Sequence, residues 1–170
     1  MIDTALLLVR LLLGLGMAAH GTQKLFGWFG GHGLAGTAGF FESLGFRPGR
    51  FFATAAALGE TGGGLLVALG LFGPLGPALI ALVMIVAILT VHAPNGFFGM
   101  NNGIELPLVY IAGAVLVAFT GPGSLSMDAA FGLEALSTGP NALVALAFAV
   151  VVALLNIVAR GHKPATASSS

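Results

Sequence analysis

Cysteine is absent from the 170 residues, which removes disulfides, iron–sulfur clusters, thiolate zinc sites, c-type haem attachment and thiol redox chemistry together. Charge is scarce as well. Asp, Glu, Lys and Arg make up 7% of the chain, against about 25% of an average soluble domain. Six basic and six acidic side chains cancel to zero formal net charge. The chain therefore cannot neutralise a run of phosphates, and no nucleic-acid partner is expected. A redox role would need a bound cofactor or a partner.

The placement of the few charges says more than their number. Residues 61–104, 106–127 and 135–159 contain none, while 57% of the chain is hydrophobic and the mean hydropathy is +1.03. A hydrocarbon core is crossed by about 20 mainly apolar residues, so the chain is an all-α integral membrane protein. Five spans are predicted. The first covers residues 4–26, with Asp3 as an N-cap, and the second covers 50–71, after the breaker Arg47-Pro48-Gly49. The third starts after Pro74 and Pro77 and ends near His92, before Pro94-Asn95-Gly96. The fourth runs over 105–120, with Pro107 in its first turn, and the fifth over 140–160. The stretch Leu34–Leu44, with Gly45 as its C-cap, is too short to cross and reads as an interfacial helix between spans one and two. Arg10 lies inside the first apolar stretch and no basic segment precedes it, so that span is expected to stay in the mature protein rather than to be cleaved as a signal peptide.

Basic residues near helix ends set orientation. Lys24, Arg47, Arg50, Arg160 and Lys163 fall on one side of a five-span chain and no Lys or Arg falls in the loops of the other. The prediction is an amino terminus outside and a carboxyl terminus in the cytoplasm. Helix association in lipid leans on small residues, and Gly14, Ala18 and Gly21 of span one and Ala55, Ala56, Gly59 and Gly63 of span two supply them.

Polar groups inside the spans are the informative exceptions, because an ionised side chain at bilayer depth costs several kcal/mol unless paired or hydrated. Arg10 and Glu60 are the deep ones. Measured along antiparallel helices they lie roughly 20 Å and 15 Å from the same ends, so a structural ion pair between them is the first reading. A neutral Glu60 that exchanges protons or bonds a ligand is the second, and Arg10 reaching outward alone is the third. A further group gathers near the predicted cytoplasmic interface. His20, Gln23 and Lys24 share one helix face, His92 closes span three and Glu105 opens span four, with Asn95, Asn101 and Asn102 between them. These are either ordinary interfacial side chains or a polar pocket at the mouth of the bundle. Such a pocket suits a quinone head group, with His20 or His92 bonding a carbonyl oxygen and Glu105 relaying a proton. A haem between His20 and His92, or a metal on those two with Glu105, is disfavoured. Neither helix shows a cleared face for a macrocycle, and the spacing is not that of a metal site. Nine of the thirteen Phe, with Trp28, lie in 25–52 or 93–103, as an interfacial aromatic belt or as the lining for an isoprenoid or lipid chain.

The string from His20 to Gly31, then Gly33-Leu34-Ala35-Gly36-Thr37-Ala38, Glu60 before a glycine run, His92-Ala93-Pro94-Asn95-Gly96-Phe97-Phe98, Asn102-Gly103-Ile104-Glu105-Leu106-Pro107 and Thr120-Gly121-Pro122-Gly123 together resemble the DoxX family. The resemblance covers about residues 4–128. It implies a small bacterial inner-membrane protein with a four-helix transmembrane core over 1–128. A loop and an additional C-terminal transmembrane helix over 129–160 depart from that core, and a disordered polar tail over 161–170 follows. It also implies association with quinone-linked oxidation or with membrane oxidoreductase assemblies. The expected role is thus a membrane subunit of a quinone-linked redox system, with His20, Gln23, Lys24, Glu60, His92 and Glu105 shaping the site. The bilayer surrounds it, and a redox subunit or further copies of the chain are its expected partners. The alternative is a non-enzymatic scaffold or a carrier of small solutes or lipids.

Overall fold

The computed structural model describes residues 1–161. Lys163 and nearly all of the expected polar tail lie outside the described residues. Seven α-helices form the described chain: α1 (Ile2–Phe26), α2 (Gly33–Ser43), α3 (Gly49–Leu69), α4 (Leu75–Ala87), α5 (Glu105–Thr120), α6 (Met127–Phe131) and α7 (Gly139–Ala159). The architecture is all-α, as the charge-free runs predict.

Four helical stretches are long and apolar enough to cross a membrane: Ile2–Phe26, Gly49–Leu69, Leu75–Asn95 and Gly139–Ala159. The 16 residues of α5 span about 24 Å, short of the roughly 30 Å hydrocarbon core. Its ends nevertheless meet opposite faces of the bundle. Before α5, Asn102 O accepts a hydrogen bond from His92 at the end of the third span. After it, Ser124 N donates to Asp3 at the start of α1, 2.9 Å away. Five crossings result, and the described basic residues Lys24, Arg47, Arg50 and Arg160 sit towards the face where α1 ends and α3 begins. The last described residue, Gly161, donates to Gly45 O at 2.9 Å, which places the end of α7 on that same basic face.

Backbone chemistry fixes where the spans stop. Gly27 and Gly70 follow α1 and α3 in the left-handed region, at φ 75 and φ 64, where a side chain would clash. Thr138 Oγ1 caps α7 by accepting from Asn141 N. At the end of the third span Pro94 has no N–H to donate to the Thr90 carbonyl, and Ile88–His92 widens into a π turn in which Ala93 N bonds Ile88 O.

Small residues set the register of the bundle. A Cβ on Gly14 would lie 2.5 Å from Ala68 N, and one on Gly64 would lie 2.6 Å from Ala18 N, so α1 and α3 touch backbone to backbone. One on Gly21 would be 2.5 Å from Thr61 N. The three small residues expected on span one therefore do face α3. Their partners on α3 are Ala57, Thr61, Gly64 and Ala68. Gly63 instead meets Gly76 and Leu79 of α4, Gly59 faces Val83, and Ala55 and Ala56 line a cavity. Gly63 and Gly64 thus let α3 lie close to helices on two sides. Beyond this, α4 packs against α3, α5 and α7. Met17, Val67, Ile80 and Ala114 fill the core where α1, α3, α4 and α5 converge.

Candidate functional site

The register fixed by Gly14 and Gly21 decides which charges meet. It sets Arg10 at the level of Gly70, ten residues or about 15 Å along α3 from Glu60. The expected Arg10–Glu60 ion pair therefore does not form. Arg10 is 1% exposed and its guanidinium donates to Pro122 O, to Leu125 O at 2.8 Å and to Ala68 O at 3.5 Å. It ties the segment after α5 to the bundle, on the face opposite the basic one. Depth counted along two helices gave the wrong partner because the contact register, not the helix ends, aligns them.

Glu60 pairs with Lys24 instead. Lys24 Nζ lies 2.6 Å from Glu60 Oε1 and also contacts Oε2, and this is the one ion pair among the described residues. The partners differ in environment, Glu60 being 2% and Lys24 29% exposed. A carboxylate so deep in apolar surroundings is stable only with such a partner.

The pair stands in the wall between two cavities. The inner one, of about 360 Å³, is bordered by α2, α3, α4 and α7 with Lys24 reaching in from α1. Its lining is mainly apolar: Phe40, Phe41, Phe46 and Phe52 on one side and Leu79, Leu82, Val83 and Val86 on another. The rings interlock, with Phe46 centred 5.6 Å from Phe41 and 5.2 Å from Phe52. The space exists because α3 presents Ala55, Ala56 and Gly59 there. Few polar groups enter it: the ion pair, Thr90, His92 and Asn156. Thr90 Oγ1 donates to Val86 O at 2.7 Å, and Asn156 Nδ2 to Val152 O at 2.8 Å, so each keeps an oxygen lone pair for a ligand. His92 Nδ1 lies 2.8 Å from Asn102 O. A carbonyl can only accept, so Nδ1 donates and the neutral ring carries its lone pair on Nε2.

The outer cavity, of about 310 Å³, is lined by His20, Gln23, Lys24, His32, Thr37 and Phe40 with the backbone of Gly30, Gly31 and Gly36. His20 Nδ1 lies 3.2 Å from Gln23 Oε1, and Gln23 Nε2 donates to Phe29 O at 3.2 Å. Tyr110 packs edge-on to the His20 ring with centroids 6.0 Å apart. Lys24 and Phe40 belong to both cavities.

Of the six candidate residues, Lys24, Glu60 and His92 meet at the inner cavity and His20, Gln23 and Lys24 at the outer one. His20 and His92 thus line different cavities. Glu105 lines neither. It is exposed, and its Oε2 accepts from Gly99 N at 2.7 Å, so it holds the turn of residues 97–104 rather than facing a ligand. Among the described residues no three His, Asp or Glu side chains gather as metal ligands. Thr90, Asn156 and His32 were not singled out from the sequence. Asn156 carried a signal, as the one amide in the apolar run 142–159; Thr90 carried none apart from the Pro94 that distorts its turn.

A sequence model named DoxX matches residues 5–93, from the first turn of α1 to the end of the third span. The chain belongs to the DoxX family. The protein named "Putative oxidoreductase CatD" of Bacillus subtilis (strain 168) is 33% identical over 122 residues, covering 72% of this chain and 83% of that relative. No solved structure gives a significant match. The DoxX match contains both members of the ion pair and His20, Gln23 and His92. Glu105 and Asn156 lie beyond it.

Proposed function

We propose that this DoxX-family protein is the membrane subunit of a quinone-linked redox system and that its inner cavity takes the ring of an isoprenoid quinone or quinol. The observation that carries the reading is the buried Lys24–Glu60 pair opening into a Phe-lined cavity at membrane depth. An apolar pocket with a few convergent polar groups is the usual form of a small-molecule site. Here the apolar walls suit a planar, lipid-soluble ring, while the second Asn156 Nδ2–H can donate to a quinone carbonyl and His92 Nε2 can accept from a quinol hydroxyl. With no cysteine in the chain, the electrons come from a partner subunit. The oxidoreductase name of the Bacillus relative supports the redox class. The basic face lies in the cytoplasm of a bacterial inner membrane in this reading, by the distribution of Lys and Arg.

The test is mass spectrometry of lipids that co-purify with the protein in nanodiscs. Bound ubiquinone or menaquinone is expected in the wild type and in Glu105→Gln. It is expected to be lost in Ala56→Phe, which fills the cavity from α3. A folded wild type that retains no quinone would sink the reading and favour a scaffold, or, if solute crosses proteoliposomes containing this chain alone, a carrier.

A further inference from the structure

We propose that Lys24 and Glu60 form a proton gate between the outer cavity and the inner one. The inference rests on the quinone reading and adds to it the route by which protons reach the ring. The two partners divide the labour by position. Lys24 lines both cavities and is part exposed, whereas Glu60 is 2% exposed and lines only the inner one. The vestibule side of Lys24 holds polar, exchangeable groups: His20, bonded to Gln23, and His32. The other titratable groups near the pair are Tyr110 of α5, edge-on to His20, and His92 at the inner rim. Of the charged residues on the packed elements, Glu42 accepts from Gly49 N, and Arg50 is exposed near the start of α3.

Charge is costly in this surrounding, and that makes the pair suited to the task. One proton moves from Lys24 Nζ to a Glu60 carboxylate oxygen along the 2.6 Å contact. An N–H bond breaks and an O–H bond forms, leaving a neutral amine and a neutral carboxylic acid. No net charge enters the membrane interior in this step, so the desolvation penalty of a lone buried ion is avoided. The acid then gives its proton to an acceptor oxygen in the inner cavity and returns to carboxylate. The amine is reprotonated from the vestibule, through water beside His20 and His32, which restores the pair. Reduction of a quinone takes two electrons and two protons, so the pair acts twice for each two-electron transfer from a reduced flavin on the partner subunit. Glu60 is the catalytic proton donor and Lys24 its positioning and reloading group.

The experiment is infrared difference spectroscopy on the full chain in nanodiscs loaded with a short-chain ubiquinone, with an electrode and a soluble mediator supplying the electrons. Bound quinone is measured on the same samples. The wild type is expected to show a carboxylic-acid band that changes as the quinone is reduced and that shifts in D₂O. Glu60→Gln is expected to keep its quinone, lose the band and reduce the quinone about 100-fold more slowly, the usual size of a positioned proton donor. Lys24→Gln combined with Glu60→Gln leaves a neutral pair that guards against a folding defect, and it should match Glu60→Gln. Quinone bound and reduced with no carboxyl band in the wild type, with a band that resists D₂O, or at an unchanged rate in Glu60→Gln overturns the gate while leaving the quinone site standing. A wild type that binds no quinone overturns both.

Discussion

The identity of the Glu60 partner can be settled by double-mutant cycles, because the structure assigns different coupling to two cationic residues on the same helix. Lys24→Met leaves the Glu60 carboxylate, 2% exposed, without a partner, which costs about 3–5 kcal/mol for a buried pair broken from one side. Glu60→Gln costs less, about 1–3 kcal/mol, since Lys24 is 29% exposed and can turn towards the vestibule. The double variant strands no charge, and its cost should fall short of the sum by about 2–3 kcal/mol, at the upper end of interaction energies between contacting residues. Arg10→Met removes hydrogen bonds to Pro122, Leu125 and Ala68 carbonyls and should cost about 2–4 kcal/mol, from charge-assisted bonds of about 1.5–3 kcal/mol each less the relieved desolvation. Combined with Glu60→Gln it should be additive within about 0.5 kcal/mol, as for separated sites. Denaturant unfolding of the detergent-solubilised protein, followed by circular dichroism, supplies the four corners of each cycle. Coupling between Arg10 and Glu60, with none between Lys24 and Glu60, would refute the α1–α3 register and the site built on it.

The remaining predictions concern the frame around the site. Gly14→Ala would put a methyl carbon 2.5 Å from Ala68 N and 2.8 Å from Ala68 Cβ, so it should cost about 1–3 kcal/mol by overpacking in the same unfolding assay; an unchanged midpoint would mean that α1 and α3 are not in contact there. Asp128 is fully buried and accepts from Phe72 N at 2.8 Å and Gly73 N at 2.7 Å. Asp128→Ala should therefore destabilise by about 1–3 kcal/mol, with two part-buried donors left without their carboxylate, and Asp128→Asn by less. Because the chain has no cysteine, single cysteines at Arg47 and Ser124 report orientation directly. A membrane-impermeant maleimide applied to intact spheroplasts should label the second and spare the first, and the reverse pattern would invert the assigned topology. Glu105→Ala should raise amide exchange across residues 97–104 through loss of the bond to Gly99 N while leaving quinone content unchanged.

The fold was largely legible because each of its determinants is local. Charge-free runs, Pro94-Asn95-Gly96 and Thr120-Gly121-Pro122 mark spans and ends within a few residues, and Gly45, at φ 93, does follow the short helix read between the first two spans. Pairing between spans is a different matter. Both Gly63 and Gly64 lie in a stretch where any glycine is a plausible contact, and a helix turns 100° per residue, so neighbours in sequence face different helices. Gly64 meets α1 and Gly63 meets α4, and nothing in a single chain distinguishes them.

The same shortfall explains the site. Lys24, His20 and Gln23 were visible as one helix face because i, i+3 and i+4 spacing is a property of one helix. Their division between two cavities was not, since it depends on where α2 packs: the short helix was legible, but nothing in its sequence says that Phe40 joins Lys24 in lining both cavities. The Arg10–Glu60 expectation failed for a related reason: helix-end depth locates a charge to within a few residues, whereas the partner is chosen by the backbone contact at Gly14 and Gly64, where a Cβ would lie 2.5 Å and 2.6 Å from the facing backbone nitrogen. Glycines too crowded to accept a methyl group therefore do more than hold the bundle together. By fixing α1 against α3 they bring the one buried carboxylate of the inner cavity to the one basic side chain that also touches the outer cavity.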